Sequence, residues 1–197
     1  MQNTAVETRR AFGYLFILVS IAVGAGSVIS ELAYTKGFPF YYFIMIWVGS
    51  FVVVFGVGSA KFRKVAPMIR GRMKSSIKWP TAAKAINGIC WAGPFAAIGA
   101  FLAFYQYLIL LGIGLGNLST YILLKKYSGA DNREQLVVAT ISLAAIPIAA
   151  AIDSSLFAAH QDVAVMVSRV LIAIAYAAGG AYAFLKNDTG LADYIPK

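Results

Sequence analysis

From Ala85 to Leu124 the chain runs for forty residues without one charged side chain. A single helix of that length would be about 60 Å long at ~1.5 Å rise per residue, twice the ~30 Å hydrocarbon thickness of a bilayer. Lys84 stands before the run, and Lys125 and Lys126 follow it. If positive residues mark one membrane face, both ends of the run lie on that face. The stretch therefore predicts a transmembrane hairpin, turning near Phe104-Tyr105-Gln106-Tyr107, the polar cluster close to its midpoint.

The rest of the chain has the same character. Hydrophobic residues make up 60% and charged residues 13%, against roughly 25% charged in a soluble domain. The apolar segments stay apolar all round for about 18 to 22 residues, whereas strands of outer-membrane barrels alternate over about ten. The expectation is an all-α integral membrane protein, a single polytopic domain bundling six transmembrane helices. The spans fall at 11–30, 40–60, 86–104, 107–124, 136–152 and 163–185, with a basic loop at 61–84. Arg9 and Arg10 before an apolar run also fit a secretory signal. That run is longer than the usual ~7–15-residue apolar core and no A-x-A cleavage site follows, so it reads as a span.

Charge sets the expected orientation. Arg9, Arg10, the eight basic residues from Lys61 to Lys84, Lys125, Lys126, Arg133, Lys186 and Lys197 all fall on one side of this six-span path. Only Lys36 falls on the other, with Arg169 inside the last span. The bias predicts a multi-pass protein with both termini cytoplasmic. Within the basic loop, Lys61, Arg63, Lys64, Arg70, Arg72 and Lys74 interleave with Val65, Met68, Ile69, Met73, Ile77 and Trp79. Several spacings of three and four predict a short amphipathic helix on the membrane surface, with Pro67 and Gly71 weighing against it. One reading is contact with anionic lipid head groups, and the other is a topology determinant and nothing more. Nucleic acid is not an expected partner.

Small residues and prolines recur in the spans. Gly93-Pro94 and Pro147 are expected kinks, tolerated in a membrane where protein or water satisfies the freed carbonyls. Gly112 and Gly116 form a GxxxG pair, and Gly179-Gly180 a second small-residue site, both suited to close helix packing. Gly112-x-Gly114-x-x-Asn117 is no dinucleotide fingerprint, because no strand precedes it and no acidic ribose partner follows. Three spans per half would place the second half inverted relative to the first. Val23–Ser30 pairs with Leu111–Ser119, and Ala96–Phe101 with Ala177–Tyr182, in the order that an inverted 3+3 repeat requires.

Arg169 is the most informative single residue. It follows Asp162 by about one and a half turns, roughly 9 to 11 Å below the outer interface. Intramembrane charges usually face a partner or a wet cavity, and Asp153, Asp162 and Glu31 are the candidate partners. Either Arg169 forms a structural ion pair, or it stands in an outer vestibule and attracts an anionic solute. Glu31 reads as an interfacial charge or a proton or cation site, and Gln106 and Asn117 are further pathway candidates. His160, in the predicted outer loop, reads as a solvated histidine or a sensor of external pH.

One histidine and one cysteine supply neither a four-ligand zinc site nor a bis-histidine haem. No hydrolytic constellation, Walker loop or H-E-x-x-H motif occurs. The expectation is no enzyme, no metal and no cofactor. Glu31-Leu-Ala-Tyr-Thr-Lys-Gly-Phe-Pro-Phe, followed by an apolar span and a basic loop, resembles the opening of drug/metabolite-transporter proteins over a short part of the chain. It carries no residue specific to that family, so no membership follows. The expected function is a small transporter or channel for a small polar or anionic solute, acting as a homo-oligomer. The alternative is a non-catalytic accessory or scaffold subunit of a larger membrane complex, for example a respiratory one.

Overall fold

Glycine and proline punctuate the helices where their backbone chemistry requires. Gly37 at φ 67° ends the first helix and Gly129 at φ 61° ends the fifth, both in the left-handed region that glycine enters without steric penalty. Pro39 and Pro80 stand just before two helix starts, where a fixed φ and a missing N–H do no harm. The computed structural model describes residues 2–75, 79–101, 104–152, 154 and 161–185. It contains α1 (Gln2–Thr35), α2 (Phe40–Val57), α3 (Ser59–Ser75), α4 (Thr81–Ala97), α5 (Tyr105–Ser128), α6 (Arg133–Ala151) and α7 (Gln161–Leu185). No strand occurs among the described residues.

Four stretches are long and apolar enough to cross a membrane: Glu7–Thr35, Gln106–Ser128, Arg133–Ala151 and Val165–Leu185. The protein is thus an all-helical membrane protein. Tyr41–Val57 and Ser59–Gly71 would make a fifth span if taken as one broken element, but they meet at 92°. α4, with 17 residues, reaches about 25 Å and falls just short of the ~30 Å hydrocarbon layer. α1 runs on through Glu31 to Thr35 because no breaker precedes Gly37. The connection expected from Glu31 therefore starts five residues later, at Lys36, and Glu31 sits in the last helical turns.

The helices pack in the order α2, α1, α7, α6, α5, α4, each against the next. The two ends of the described chain meet in the middle of this row. At the α1–α7 crossing a Cβ on Gly13 would lie 3.2 Å from the Gly180 carbonyl, and one on Gly180 would lie 3.0 Å from the Gly13 carbonyl. Farther along, Phe16 meets Tyr176 edge-on at 5.5 Å between centroids, and the Ser20 hydroxyl donates to the Ala173 carbonyl at 2.7 Å. Rising numbers on α1 thus meet falling numbers on α7, so the pair is antiparallel. Gly179 on the next face of α7 touches Val138 and the Glu134 carbonyl of α6, and Gly114 of α5 lies against Leu143 of α6. The core between these helices includes Phe16, Val23, Leu110, Val138 and Ile172.

α3 leaves this row at a right angle. Its corner is Gly58, whose carbonyl accepts from the Tyr14 hydroxyl at 3.2 Å. A Cβ there would meet Leu18 at 2.9 Å and the Tyr14 hydroxyl at 3.0 Å, so α1 holds the corner. Phe62, Val65, Met68 and Ile69 turn toward the core, while Lys61, Arg63, Lys64, Arg70 and Lys74 are exposed. This is the amphipathic helix expected from the loop sequence, and Pro67 lies within it. The side chain of Arg72, together with Ile77, Lys78 and the segment from Lys186 to Lys197, lies outside the described residues.

Candidate functional site

The uncharged run folds back on itself. α4 ends at Ala97, and successive short turns, with Ile98 N–H bonded to Phe95 O at 3.2 Å and Phe101 N–H to Ala97 O at 2.9 Å, carry the chain toward α5. The turn thus comes a few residues before the expected apex, which places Gln106 in the first turn of α5, 4% exposed. Phe95 lies on Gly112, Trp91 on Gly116, and Trp79 and Ala83 on Leu123 and Leu124. Gly112 and Gly116 therefore do form a packing face, but what they admit is two aromatic rings rather than a second backbone. An added methyl at Gly116 would collide with the Trp91 indole.

Beside these rings runs a ladder of polar side chains. The Trp91 indole N–H donates to Thr120 Oγ1 at 3.1 Å. The hydroxyls of Ser119 and Thr120 reach Asn87 Oδ1 at 2.8 and 2.9 Å. Each has the Gly116 carbonyl, at 3.1 and 2.7 Å, as its other acceptor. Such bonds tie one apolar helix to another where a polar atom would otherwise face hydrocarbon. At the near end of the ladder the Trp79 indole N–H donates to Ser128 Oγ at 3.2 Å.

This ladder forms one wall of a cavity of about 390 Å³, within the ~300–1,000 Å³ usual for small-molecule sites. Phe12, Leu15, Phe16 and Val19 of α1 and Ile69 of α3 also line it. Asn117, Thr120 and Leu124 of α5, Gln135 of α6 and Tyr176 of α7 complete it. The Asn117 amide donates to the Ile113 carbonyl of its own helix at 2.9 Å and lies beside the Tyr176 hydroxyl. Gln135 is 8% exposed and its Oε1 has no hydrogen-bond partner. No charged side chain lines the cavity among the described residues. Its chemistry is that of amides, hydroxyls and aromatic faces.

The residues singled out from the sequence do not converge here. Of Arg169, Glu31, Gln106 and Asn117, only Asn117 lines the cavity. The Arg169 guanidinium lies over the Trp47 ring at 5.8 Å from the centroid. Asp153, His160 and the side chain of Asp162 lie outside the described residues. Gly179 and Gly180 are contact points for α6 and α1, whereas Gly93 meets only Ile89 of its own helix. Pro94 is buried within α4, which runs one turn beyond it, and Pro147 is exposed within α6. Among the described residues no group of three or more His, Cys, Asp or Glu side chains could hold a metal ion.

Asn87, Trp91, Thr120, Gln135 and Tyr176 were the residues missed. A signal was present. Asn87 and Trp91 are one helical turn apart on α4, Asn117 and Thr120 one turn apart on α5, and the two pairs stand at similar distances from the hairpin turn.

The α5–α6 connection sits at the same end of the bundle. Asn132 precedes α6 at the cap position, yet its side chain makes no capping bond and is fully buried. Asp131 instead ties the two helices together: its Oδ2 accepts from Arg133 Nε of α6 at 2.7 Å and its Oδ1 from the Tyr121 hydroxyl of α5 at 3.2 Å. Partial burial opposes ionisation of Asp131. The Arg133 and Tyr121 hydrogen bonds and the charges of Arg133 and Lys125 outweigh it, holding the carboxyl below its ordinary value. Comparison with protein-family models, with curated proteins and with solved structures finds no match for this chain.

Proposed function

We propose that the protein is a small membrane transporter that binds an uncharged, polar solute in the cavity between α1 and the α4–α5 hairpin. The observation that carries this is the cavity itself: about 390 Å³, walled by aromatic rings and offered amide and hydroxyl groups but no charge. Selective sites for small molecules combine an apolar wall with a few placed polar groups in this way. A carrier is favoured over a channel because packed side chains, among them Leu110, Val23 and Ile172, stand beyond the cavity toward the turn of the hairpin. The narrowing to an uncharged solute follows from the position of Arg169, which stacks on Trp47 rather than lining the cavity.

The same proposal includes six crossings with both termini cytoplasmic. Its support is the alternation of direction along the row from α2 to α4, together with the basic residues Lys84, Lys125, Lys126 and Arg133 gathered where α4 and α6 begin and α5 ends. The cavity then lies in the cytoplasmic half. The test is flux into proteoliposomes, with urea and glycerol as uncharged probes and chloride as the anionic one. The expected result is entry of an uncharged probe above the rate of empty vesicles, reduced by Asn117→Leu. Chloride entry that Asn117→Leu leaves unchanged would contradict it.

A further inference from the structure

α3 carries two faces with different neighbours. Phe62, Val65 and Ile69 recur at three- and four-residue spacing and pack inward. Arg63, Arg70 and Lys74 recur at seven and four, which sets them in one line about a third of a turn round the helix from that apolar face, and all three are exposed. The stripe spans about 17 Å along the axis. Lys61 and Lys64 are exposed on the far side of the helix from this stripe, and no acidic residue occurs anywhere from Lys61 to Lys84. Because α3 turns 92° from α2 at Gly58, it lies in the plane of the bilayer surface if α2 crosses the bilayer. The position matters because Ile69, on the inward face of this basic helix, is also part of the cavity wall.

We infer that the Arg63, Arg70 and Lys74 stripe of α3 binds the phosphate groups of anionic phospholipids at the inner membrane face, and that the bound lipid holds Ile69 closed over the cavity. Cationic side chains arranged along an interfacial helix are attracted to an anionic lipid surface, with a strength that falls as salt rises. A helix pulled flat against head groups is held where its apolar face meets Phe12, Phe16 and Val19 across the cavity. The lipid-binding half stands on the geometry of α3 alone. The closing half rests on the proposed transport reading.

The first test measures thermal unfolding of the full chain in neutral detergent with added phosphatidylglycerol, phosphatidylcholine, inorganic phosphate or a single-stranded oligonucleotide. Phosphatidylglycerol is expected to raise the melting temperature of the wild type in a concentration-dependent way, and the other three to leave it unchanged. R63Q/R70Q/K74Q changes only exposed side chains and is expected to melt like wild type without lipid and to lose the phosphatidylglycerol response. An equal rise in the triple variant, an equal rise with phosphatidylcholine, or a response to phosphate or oligonucleotide in place of phosphatidylglycerol would overturn the proposal.

The second test labels Val19→Cys in a Cys90→Ser chain with a membrane-impermeant thiol reagent from the inner face. Phosphatidylglycerol is expected to slow labelling at least about fivefold, the lower end of ordinary coupling between two sites, and the triple variant to abolish the slowing. A rate indifferent to lipid would overturn the closing half. The transport reading would be untouched by that result, because it is judged by solute flux and by whether Val19→Cys is labelled from both faces, not by the effect of lipid on the rate.

Discussion

The Arg169 guanidinium rests on the face of Trp47, 5.8 Å from the ring centroid, and the same ring presses on Gly26, where a Cβ would stand 3.0 Å from it. Three helices thus meet through one indole: α7 supplies the cation, α2 the ring and α1 the bare backbone that lets the ring approach. Arg169 is half-buried there, and a cation–π contact of this kind is worth about 0.5–2 kcal/mol, more as water is excluded. Trp47→Ala should lower the stability of the detergent-solubilised protein by about 3–5 kcal/mol, the usual loss for a packed tryptophan. Trp47→Phe should recover most of it. Equal losses for the two variants, measured by thermal or chemical unfolding, would show that the ring face plays no part.

Glycines with identical chemistry should respond with opposite sign. Gly88→Ala meets nothing within 4 Å and should raise stability by about 0.5–1 kcal/mol, because alanine loses less backbone entropy in a helix. Gly116→Ala drives a methyl into the Trp91 ring and should destabilise by about 1–3 kcal/mol. Gly180→Ala, whose methyl meets Ile17 at 2.8 Å and the Gly13 carbonyl at 3.0 Å, should behave like Gly116→Ala. Comparing the melting temperatures of the three variants checks the packing order directly.

The polar ladder of the hairpin should act as a unit. Thr120→Val removes the acceptor of the Trp91 indole N–H and one donor to Asn87, leaving part-buried polar atoms short of partners at about 1 kcal/mol. Ser119→Ala should matter less, since Thr120 still reaches Asn87. The double variant Asn87→Leu/Thr120→Val should lose less than the two single losses together, because their partners vanish together. Unfolding measurements on all four proteins test this, and strict additivity would count against a shared network.

Acid should weaken the α5–α6 connection. Asp131 has its carboxyl held below the ordinary value of 3.8, so it binds fewer protons folded than unfolded. Its stabilisation is fully present above that ordinary value and disappears as pH falls through the depressed one. With the pair 51% and 39% exposed, solvent screening keeps the effect small, below about 1 kcal/mol. Asp131→Asn should therefore melt slightly below wild type near neutral pH and together with it at strongly acidic pH. A gap that persists in acid would assign the difference to something other than the charge.

Much of the fold was legible because membrane insertion is governed by local composition. The uncharged run from Ala85 to Leu124 gave the α4–α5 hairpin, and the spacing of Val65 and Ile69 among lysines and arginines gave α3. The length of α1 was misjudged at Glu31, since a lone acidic residue near an interface does not end a helix. The site was largely illegible. Charge drew attention to Arg169, which lies over an aromatic ring from another helix, while the cavity is built from uncharged residues that look like ordinary packing until six helices are brought together. Asn117 was found because it is polar within an apolar run. Gln135 and Tyr176 could be placed beside it only by tertiary packing.

The central claim is that the cavity beside Val19, midway along α1, is a solute site reached in turn from both faces of the membrane. The most direct measurement is labelling of Val19→Cys in the Cys90→Ser chain by a membrane-impermeant thiol reagent, in right-side-out and in inside-out vesicles. Labelling from both faces, slowed in each case by Thr120→Trp, which fills the cavity, is the predicted result. Labelling from the inner face alone, or from neither, would contradict it.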